Sequence, residues 1–218
     1  VIWLKERGIK YSFVEFDYKM CKHRNPALYK FVEGETCDYT QTDLGASIKD
    51  FMLNAQSVFF MAKKQRDIYL DQFSELKKAN THILSSLFQD ELLDYIQQLR
   101  DKPYDKKKWL VLNSSSWVKG VAASEQWCKD NNIEYDLVGG LQYDEFLKQI
   151  RKSKGICFKP DGLDTCPRFI IEAKLLGCEL EVNEKVQHIG EEWFDLDNEN
   201  MIKYLKSRKD YFWQKAFN

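Results

Sequence analysis

Residues 155–182 read GICFKPDGLDTCPRFIIEAKLLGCELEV, and this stretch decides the fold. A short apolar run ends at a Lys-Pro-Asp-Gly loop, a helical pattern holding one glutamate follows, and a second short strand closes the stretch. Strand, helix and strand in this order are typical of a parallel β-α-β unit. The stretch therefore predicts an α/β fold, and it leaves open why Asp164 and Glu172 stand on either side of the helix start.

The same alternation of strands and helices extends upstream. A first block predicts strands at 11–16, 57–62 and 81–86 and helices at 46–54 and 64–73. The second block predicts strands at 109–113, 134–138, 155–159 and 179–182, and helices at 90–100, 121–131, 143–152 and 167–176. This order favours two Rossmann-like domains with helix-covered parallel sheets.

Domain boundaries follow from the breaks in this pattern. The predicted parts are the second half of an N-terminal domain (1–88), a linker region (89–105), a C-terminal domain (106–197) and a C-terminal helical segment (198–218). The first domain is expected to be incomplete, because the opening VIWLKERG has the Lys, Arg and Gly typical of a helix end.

Composition argues against a nucleic-acid partner and against a membrane-spanning segment. The chain has 218 residues, with 33 Lys and Arg against 34 Asp and Glu, so its charge does not favour a nucleic-acid partner. The six cysteines include no Cys-x-x-Cys pair, which suits a reducing cytoplasm. No apolar run reaches the roughly 20 residues that span a bilayer. We expect a cytoplasmic protein without a transmembrane segment, and peripheral membrane contact stays open.

The loops that follow the strands of the second block hold the candidate site residues, because open parallel sheets bind ligands at the carboxyl ends of their strands. Residues 114–120, SSSWVKG, could offer hydroxyls, backbone N–H groups and one lysine to a phosphate, or form a serine-capped turn with a solvated lysine. Asp164 and Thr165 are suitable N-caps for a helix beginning near Pro167. A mid-helix Glu172 needs a partner or a polar cleft.

The stretch KPDGLDTCPRFIIEAKLLGCELEVNE resembles the donor-sugar signature of the group 1 glycosyltransferases of GT-B fold. In that family a proline-ended strand leads to a carboxylate, seven residues and a glutamate, and then to a Gly-Cys turn and a short strand. Asp164 and Glu172 take the two carboxylate positions, and Lys119-Gly120 matches the Lys-Gly that opens the first helix of the family's donor domain. The likeness covers roughly residues 105–195.

The resemblance implies a glycosyltransferase that takes a sugar from a nucleotide-activated donor to a glycan, lipid or other acceptor, with retention and without a metal or other cofactor. Glu172 would hold the nucleotide ribose and Asp164 the transferred sugar, and these two are the implied catalytic residues. Donor binding would also involve the diphosphate-facing residues Ser114, Lys119, Gly120, Thr165, Cys166 and Arg168.

The sequence departs from the family pattern at two places. The family commonly has Gly-Arg where this chain has Asn113 and Ser114, so one cation of the donor site is missing, and Asp164 stands where the family usually has Glu. Two other functions therefore stay open. One is a non-catalytic GT-B-like module that binds a nucleotide or a partner, and the other is a nucleotide-sugar epimerase of the same architecture. Neither the sugar, the nucleotide, the acceptor nor the oligomeric state follows from the sequence.

The first block contains a long polar stretch, DYKMCKHRNPALYKFVEGETCDY, interpreted as a loop on the acceptor side. Its polar candidates for acceptor contact are Asp17, His23 and Arg24. A zinc site formed by Cys21, His23 and Cys37 is the less favoured interpretation, because only three ligands are at hand. Near the other end of the chain, the Asp195-Leu196-Asp197 triplet is interpreted as a solvated turn rather than a metal site, and His188 as a structural histidine.

Overall fold

The computed structural model describes residues 2–104 and 107–217. The chain divides into two compact units, one formed by Val1–Leu87 with Ser207–Asn218 and the other by Phe88–Lys206. Each unit contains one parallel sheet, of three strands in the first and four in the second. The predicted α/β class is thereby confirmed. No helix in the described ranges is both long and apolar enough to cross a membrane.

The elements follow one another in the predicted alternation. The first unit contains α1 (Ile2–Glu6), β1 (Ser12–Glu15), α2 (Pro26–Glu33), α3 (Asp43–Leu53), β2 (Ser57–Phe60), α4 (Lys63–Gln72) and β3 (Thr81–Ile83). The second contains α5 (Asp90–Asp101), β4 (Trp109–Leu112), α6 (Val121–Asp130), β5 (Tyr135–Val138), α7 (Tyr143–Lys152), β6 (Gly155–Phe158), α8 (Arg168–Leu175), β7 (Glu179–Val182) and α9 (Glu192–Asp195). The last helix, α10 (Asn198–Ala216), contributes its final residues to the first unit.

The first sheet has the strand order β1-β2-β3, with every neighbouring pair parallel. Phe59 and Phe60 on β2 point to opposite faces, as successive strand residues do. Phe60 packs against Tyr69 of α4 with ring centroids 5.3 Å apart, whereas Phe59 packs against Phe212 of α10 at 4.9 Å. The end of α10 thus covers the face of the sheet opposite α4.

The second sheet has the order β5-β4-β6-β7, again with parallel neighbours. On β6, Cys157 packs in the cluster that contains Cys128 of α6, and the adjacent Phe158 meets Phe169 of α8 with ring centroids 4.7 Å apart. Helices α6 and α8 therefore cover opposite faces. From β4 the chain continues to β5 on one side of the sheet, and from β6 it continues to β7 on the other side. A topological switch point therefore lies between the carboxyl ends of β4 and β6.

Three local expectations are corrected by the structure. The polar stretch predicted as a loop contains α2, which Asn25 caps by accepting from the N–H groups of Ala27 and Leu28. The helix predicted at 90–100 is observed as α5, but it buries an apolar stripe at helical spacing in the second unit, so the segment 89–105 is part of that unit rather than a linker region. Helix α8 begins at Arg168, so the residue at its N-cap position is Pro167 rather than Asp164 or Thr165.

Candidate functional site

The ammonium group of Lys119 and the carboxylate of Asp164 meet at the switch point. Lys119 follows β4 and Asp164 follows β6, and Lys119 Nζ lies 2.6 Å from Asp164 Oδ2. The Asp164 side chain is 11% exposed and that of Lys119 is 32% exposed. The two residues matched to the family motif thus form a direct, partly shielded ion pair, so Lys119 has a carboxylate partner in addition to its contact with solvent.

Glycine at position 120 is required for this arrangement. Gly120 adopts φ 57° immediately before α6, in the left-handed region that favours glycine. A Cβ atom there would lie only 1.9 Å from the backbone oxygen of Lys159, at the end of β6. The two loops also share a hydrogen bond from Gly162 N to Val118 O at 3.2 Å. The absence of a side chain at position 120 therefore lets the loops after β4 and β6 touch.

The backbone of Asp164 is fixed from the opposite side. Asp164 N donates to Lys185 O at 2.9 Å, and Gln187 N donates to Asp164 O at 2.9 Å, which forms a parallel bridge with Val186. These bonds give Asp164 a defined position on the sheet's carboxyl edge. Because its backbone is held by strand-like bonding, its carboxylate is positioned to pair with Lys119.

Glu172 is buried in the middle of α8, with 1% of its surface exposed. Its Oε1 accepts a hydrogen bond from the hydroxyl of Tyr143 at 2.5 Å and lies 3.7 Å from Arg168. Burial raises the pKa of Glu172, and the hydrogen bond from Tyr143 and the charge of Arg168 oppose that rise. Burial, together with the bond to Glu172, also raises the pKa of Tyr143, so its hydroxyl stays protonated as a donor.

Arg168 is engaged on two sides. Its guanidinium carbon lies 4.5 Å from the ring centroid of Phe88, a cation–π distance, and its Nη2 reaches toward Glu172. About half of its side chain is exposed. Arg168 is therefore a partly anchored cation at the start of α8 rather than a freely solvated one.

An open pocket of about 300 Å³ lies at the carboxyl ends of β4 and β5. Its lining comprises the strand ends, the Gly139-Gly140 turn and the start of α7, namely Leu112, Asn113, Ser114, Gly139, Gly140, Leu141, Tyr143 and Phe146. A Cβ on Gly139 would lie 2.4 Å from Asn113 O, so the glycine pair permits close backbone approach as well as a turn. Tyr143 both lines the pocket and contacts Glu172, and it connects the two features.

The other predicted donor residues lie in the same loops. Ser114 lines the pocket, and its Oγ accepts from Ser116 N at 3.2 Å, so it holds the turn in which Lys119 sits. Thr165 and Cys166 are both buried between Asp164 and α8. Side-chain access to a ligand is small at these two positions, which leaves them as residues that shape the loop.

The predicted acceptor-side residues belong to the first unit. Arg24 holds Asp17 with two parallel hydrogen bonds, from Nε to Oδ1 at 2.9 Å and from Nη2 to Oδ2 at 2.8 Å, and His23 Nε2 lies 2.8 Å from Glu33 Oε1. Within residues 2–104 and 107–217, no group of three or more His, Cys, Asp and Glu side chains could hold a metal ion. His23 pairs with a carboxylate instead of joining cysteines, so the zinc interpretation is not supported.

Three features near the end of the second unit have structural partners. Asp197 Oδ1 accepts from Asn200 N at 3.0 Å and caps the start of α10, which explains the Asp-Leu-Asp triplet. Glu191 Oε2 accepts from the indole N–H of Trp193 at 2.8 Å. His188 is fully buried, with its ring stacked on Trp193 at a centroid distance of 5.6 Å. His188 directly follows Gln187, whose N–H donates to Asp164 O, so its buried ring anchors the end of the segment that holds Asp164.

Sequence reasoning did not identify Tyr143. It lies in the stretch GGLQYDEF, whose Gly139-Gly140 pair predicts a tight turn or a close backbone approach, and its partner lies on a different helix. The one available signal was that Glu172 needed a buried partner. No protein-family model matches this sequence, and no curated protein is detectably similar to it. The function proposed below therefore rests on the geometry of the site together with the motif resemblance.

Proposed function

We propose that the chain is a glycosyltransferase of GT-B type whose second unit binds a nucleoside diphosphate linked to a sugar. The observation that carries this proposal is the ion pair between Lys119 and Asp164, at the switch point of a parallel sheet whose carboxyl edge also holds a pocket. Switch points are where open α/β sheets bind ligands. The motif resemblance assigns a lysine and a carboxylate to the diphosphate and the sugar, and these two residues meet at that point.

The chemistry of the donor fits the groups at this edge. A diphosphate favours a lysine and backbone N–H groups, which the loop 114–120 offers. A carboxylate accepts hydrogen bonds from vicinal hydroxyls, so Asp164 would hold the sugar and Glu172 the ribose. Because Glu172 is covered, ribose hydroxyls would share or replace its hydrogen bond from Tyr143. The base would then lie in the pocket lined by Gly139 and Tyr143.

In the transfer step, the bond between the anomeric carbon and the β-phosphate oxygen breaks, and a bond to an acceptor hydroxyl oxygen forms. The leaving group is the nucleoside diphosphate, and the proton of the acceptor hydroxyl passes to the departing phosphate oxygen. Stabilising the charge on the departing diphosphate is the main electrostatic task. Lys119 and Arg168 are the two cations proposed for it, and retention of configuration is proposed on the resemblance alone.

A non-catalytic module that binds a nucleotide is the second candidate. Its specific support is Ser114, which stands where the family commonly has an arginine and whose oxygen is engaged within its own turn. With one cation fewer at the diphosphate, the leaving group would be stabilised less, while the pocket could still bind the nucleotide. Binding without hydrolysis or transfer would favour this candidate.

The proposal is tested by calorimetric titration with UDP, GDP and ADP and with UDP-glucose, GDP-mannose and ADP-glucose. At least one sugar-linked nucleotide should bind, and Glu172→Ala should weaken it by about tenfold or more. Glu125→Ala is the matched control, because Glu125 also accepts from a tyrosine hydroxyl, that of Tyr135 at 2.7 Å, on the face covered by α6. Binding of no nucleotide, or equal binding by the wild type and Glu172→Ala, would overturn the donor-site proposal.

A further inference from the structure

Every cation described at the carboxyl edge of the second sheet already has a partner. Lys159 pairs with Glu181, Lys185 Nζ donates to the backbone oxygen of Asp161 at 2.9 Å, Arg168 lies beside Glu172 and Phe88, and Lys119 pairs with Asp164. An incoming anion therefore meets no lysine or arginine there without a contact. Among these cations, Lys119 is the one whose partner the resemblance assigns to the transferred sugar.

From this arrangement we infer that Lys119 and Asp164 act as a selector that favours a sugar-linked nucleoside diphosphate over the free nucleoside diphosphate. The inference rests on the function proposed above and deepens it. It assigns to Asp164 a second role, discrimination against the product of transfer, in addition to holding the sugar.

The first step of the argument concerns the free diphosphate. To reach Lys119, its phosphate oxygens must compete with a carboxylate that is 2.6 Å from the ammonium group and largely shielded from water. The displaced Asp164 carboxylate would then face a second anion without a donor to compensate it. Like charges in a partly buried site repel one another strongly, so this binding is penalised.

A sugar-linked diphosphate avoids this penalty. It brings one negative charge fewer than the free form, and its sugar hydroxyls can donate hydrogen bonds to the carboxylate that Lys119 releases. Hydrogen bonds to a charged acceptor are roughly twice as strong as those between neutral groups. The donor thus gives both members of the ion pair a new partner, a phosphate for Lys119 and the sugar hydroxyls for Asp164. The free diphosphate offers a partner to Lys119 only.

The selector is held in place by the backbone on both sides. Asp164 is fixed by its bridge to Val186, and Lys119 directly precedes Gly120, which packs against the backbone of Lys159. The backbones of both residues are thereby fixed, so the ion pair separates through rotation of its two side chains and not through movement of the loops. The competition between carboxylate and phosphate is a property of the folded loops rather than of two mobile surface side chains.

The test compares Asp164→Asn with Asp161→Asn by calorimetry, using the nucleotide that binds the wild type most tightly, with and without its hexose. Asn keeps the shape of Asp164 and removes its charge. Asp161 lies in the same loop, and its backbone oxygen rather than its carboxylate accepts from Lys185. We expect Asp164→Asn to bind the free diphosphate about tenfold more tightly than the wild type, and to lose most of the preference for the sugar-linked form.

Each outcome decides a different point. Tighter binding of the free diphosphate by Asp164→Asn, but not by Asp161→Asn, supports the selector. Weaker or unchanged binding, or an equal gain in both variants, overturns it while leaving the proposed function standing, since a nucleotide binds. Absence of nucleotide binding by the wild type and both variants overturns the proposed function as well. If Asp164→Asn does not fold, Asp164→Ser carries the same comparison.

Discussion

The hydroxyl of Tyr143, the first residue of α7, donates to the buried carboxylate of Glu172 on α8 over 2.5 Å. Tyr143 is 45% exposed and lines the pocket, while Glu172 is 1% exposed. Tyr143 therefore lies between the pocket and the Glu172 carboxylate, which is otherwise largely shielded from the pocket. This bond makes the protonation state of Glu172 sensitive to a residue on the pocket wall.

Tyr143→Phe should move the pH dependence of nucleotide binding to higher pH. Burial raises the pKa of Glu172, and the bond from Tyr143 opposes the rise. Removing the hydroxyl raises that pKa further. When the pH is lowered, Glu172 in the variant is therefore protonated at a higher pH than in the wild type, and the carboxylate proposed to bind the ribose is lost there. Calorimetric titrations between about pH 5 and 8 would show the shift. Tyr135→Phe, which removes a similar bond to Glu125, should leave the profile unchanged. A profile shared by both variants and the wild type would contradict this role.

Gly120→Ala should destabilise the second unit by about 2 to 4 kcal/mol, because it combines positive φ with a backbone clash. The added Cβ would lie 1.9 Å from Lys159 O. Gly140→Ala is the matched control, since Gly140 has φ +70° but nothing within 4 Å of the added atom, and it should cost only about 1 kcal/mol. Urea denaturation measures both. Equal losses would show that the approach of the two loops does not determine stability.

The element order was predictable from sequence because each strand is short and apolar and each helix has its own spacing and end signals. Helix α7 was predicted at Tyr143–Lys152 and strand β7 at Glu179–Val182, both as observed. Helix α2 was missed because its polar surroundings and the cysteines near it suggested a loop. Its signals, Asn25 as the cap and Pro26 in the first turn, were present in the sequence.

The site was predictable only in part. The β-α order led to the loops that hold Lys119 and Asp164, but their contact joins residues 45 positions apart and depends on the strand order β5-β4-β6-β7. Periodicity gives strands and helices but not which strands are neighbours. The contact between Tyr143 and Glu172 likewise depends on how α7 packs against α8, for which a single sequence carries no pairing signal.

His188 should make the second unit less stable in acid. Burial, and secondarily the charge of Lys174, lowers the pKa of His188 to about 3. The unfolded chain takes up this proton near pH 6.5, so stability is full above that pH and falls by about 1.4 kcal/mol per pH unit below it, until the folded pKa is reached.

His188→Phe should remove this part of the acid sensitivity. Neither ring nitrogen of His188 has a hydrogen-bond partner among the described residues, and the ring stacks on Trp193. Phenylalanine should therefore change the stability near pH 7 by less than about 1.5 kcal/mol. Denaturation followed by tryptophan fluorescence at several pH values provides the comparison. An unchanged pH slope in the variant would refute this assignment.

Glu15 at the end of β1 should produce the opposite pH dependence in the first unit. Its Oε1 accepts from Lys19 Nζ at 3.0 Å and from Asp17 N at 3.2 Å, while Oε2 has no partner within the described part of the chain. Burial raises the pKa of Glu15 to about 7, so its contribution to stability is full below about pH 4.5 and is lost as the pH rises through about 7.

Glu15→Gln should flatten this loss between about pH 5 and 8, because a neutral amide can still accept from Lys19. Glu33→Gln is the informative contrast, since contacts with His23 and Lys22 lower the pKa of Glu33 and its contribution is instead lost as the pH falls. Thermal unfolding of the wild type and both variants across this range measures the slopes. The assignment would be disproved if the first unit of the wild type became more stable as the pH rises to 8 and Glu15→Gln showed the same slope.

The central claim, that a nucleotide sugar binds at the switch point of the second sheet, is tested most directly by amide NMR mapping. The chain is titrated with the sugar-linked nucleotide that binds it most tightly. We predict that the amide signals of residues 113–120, 139–143 and 161–172 shift together and saturate at the same concentration. Saturable shifts confined to other residues, with these three segments unmoved, would contradict the account.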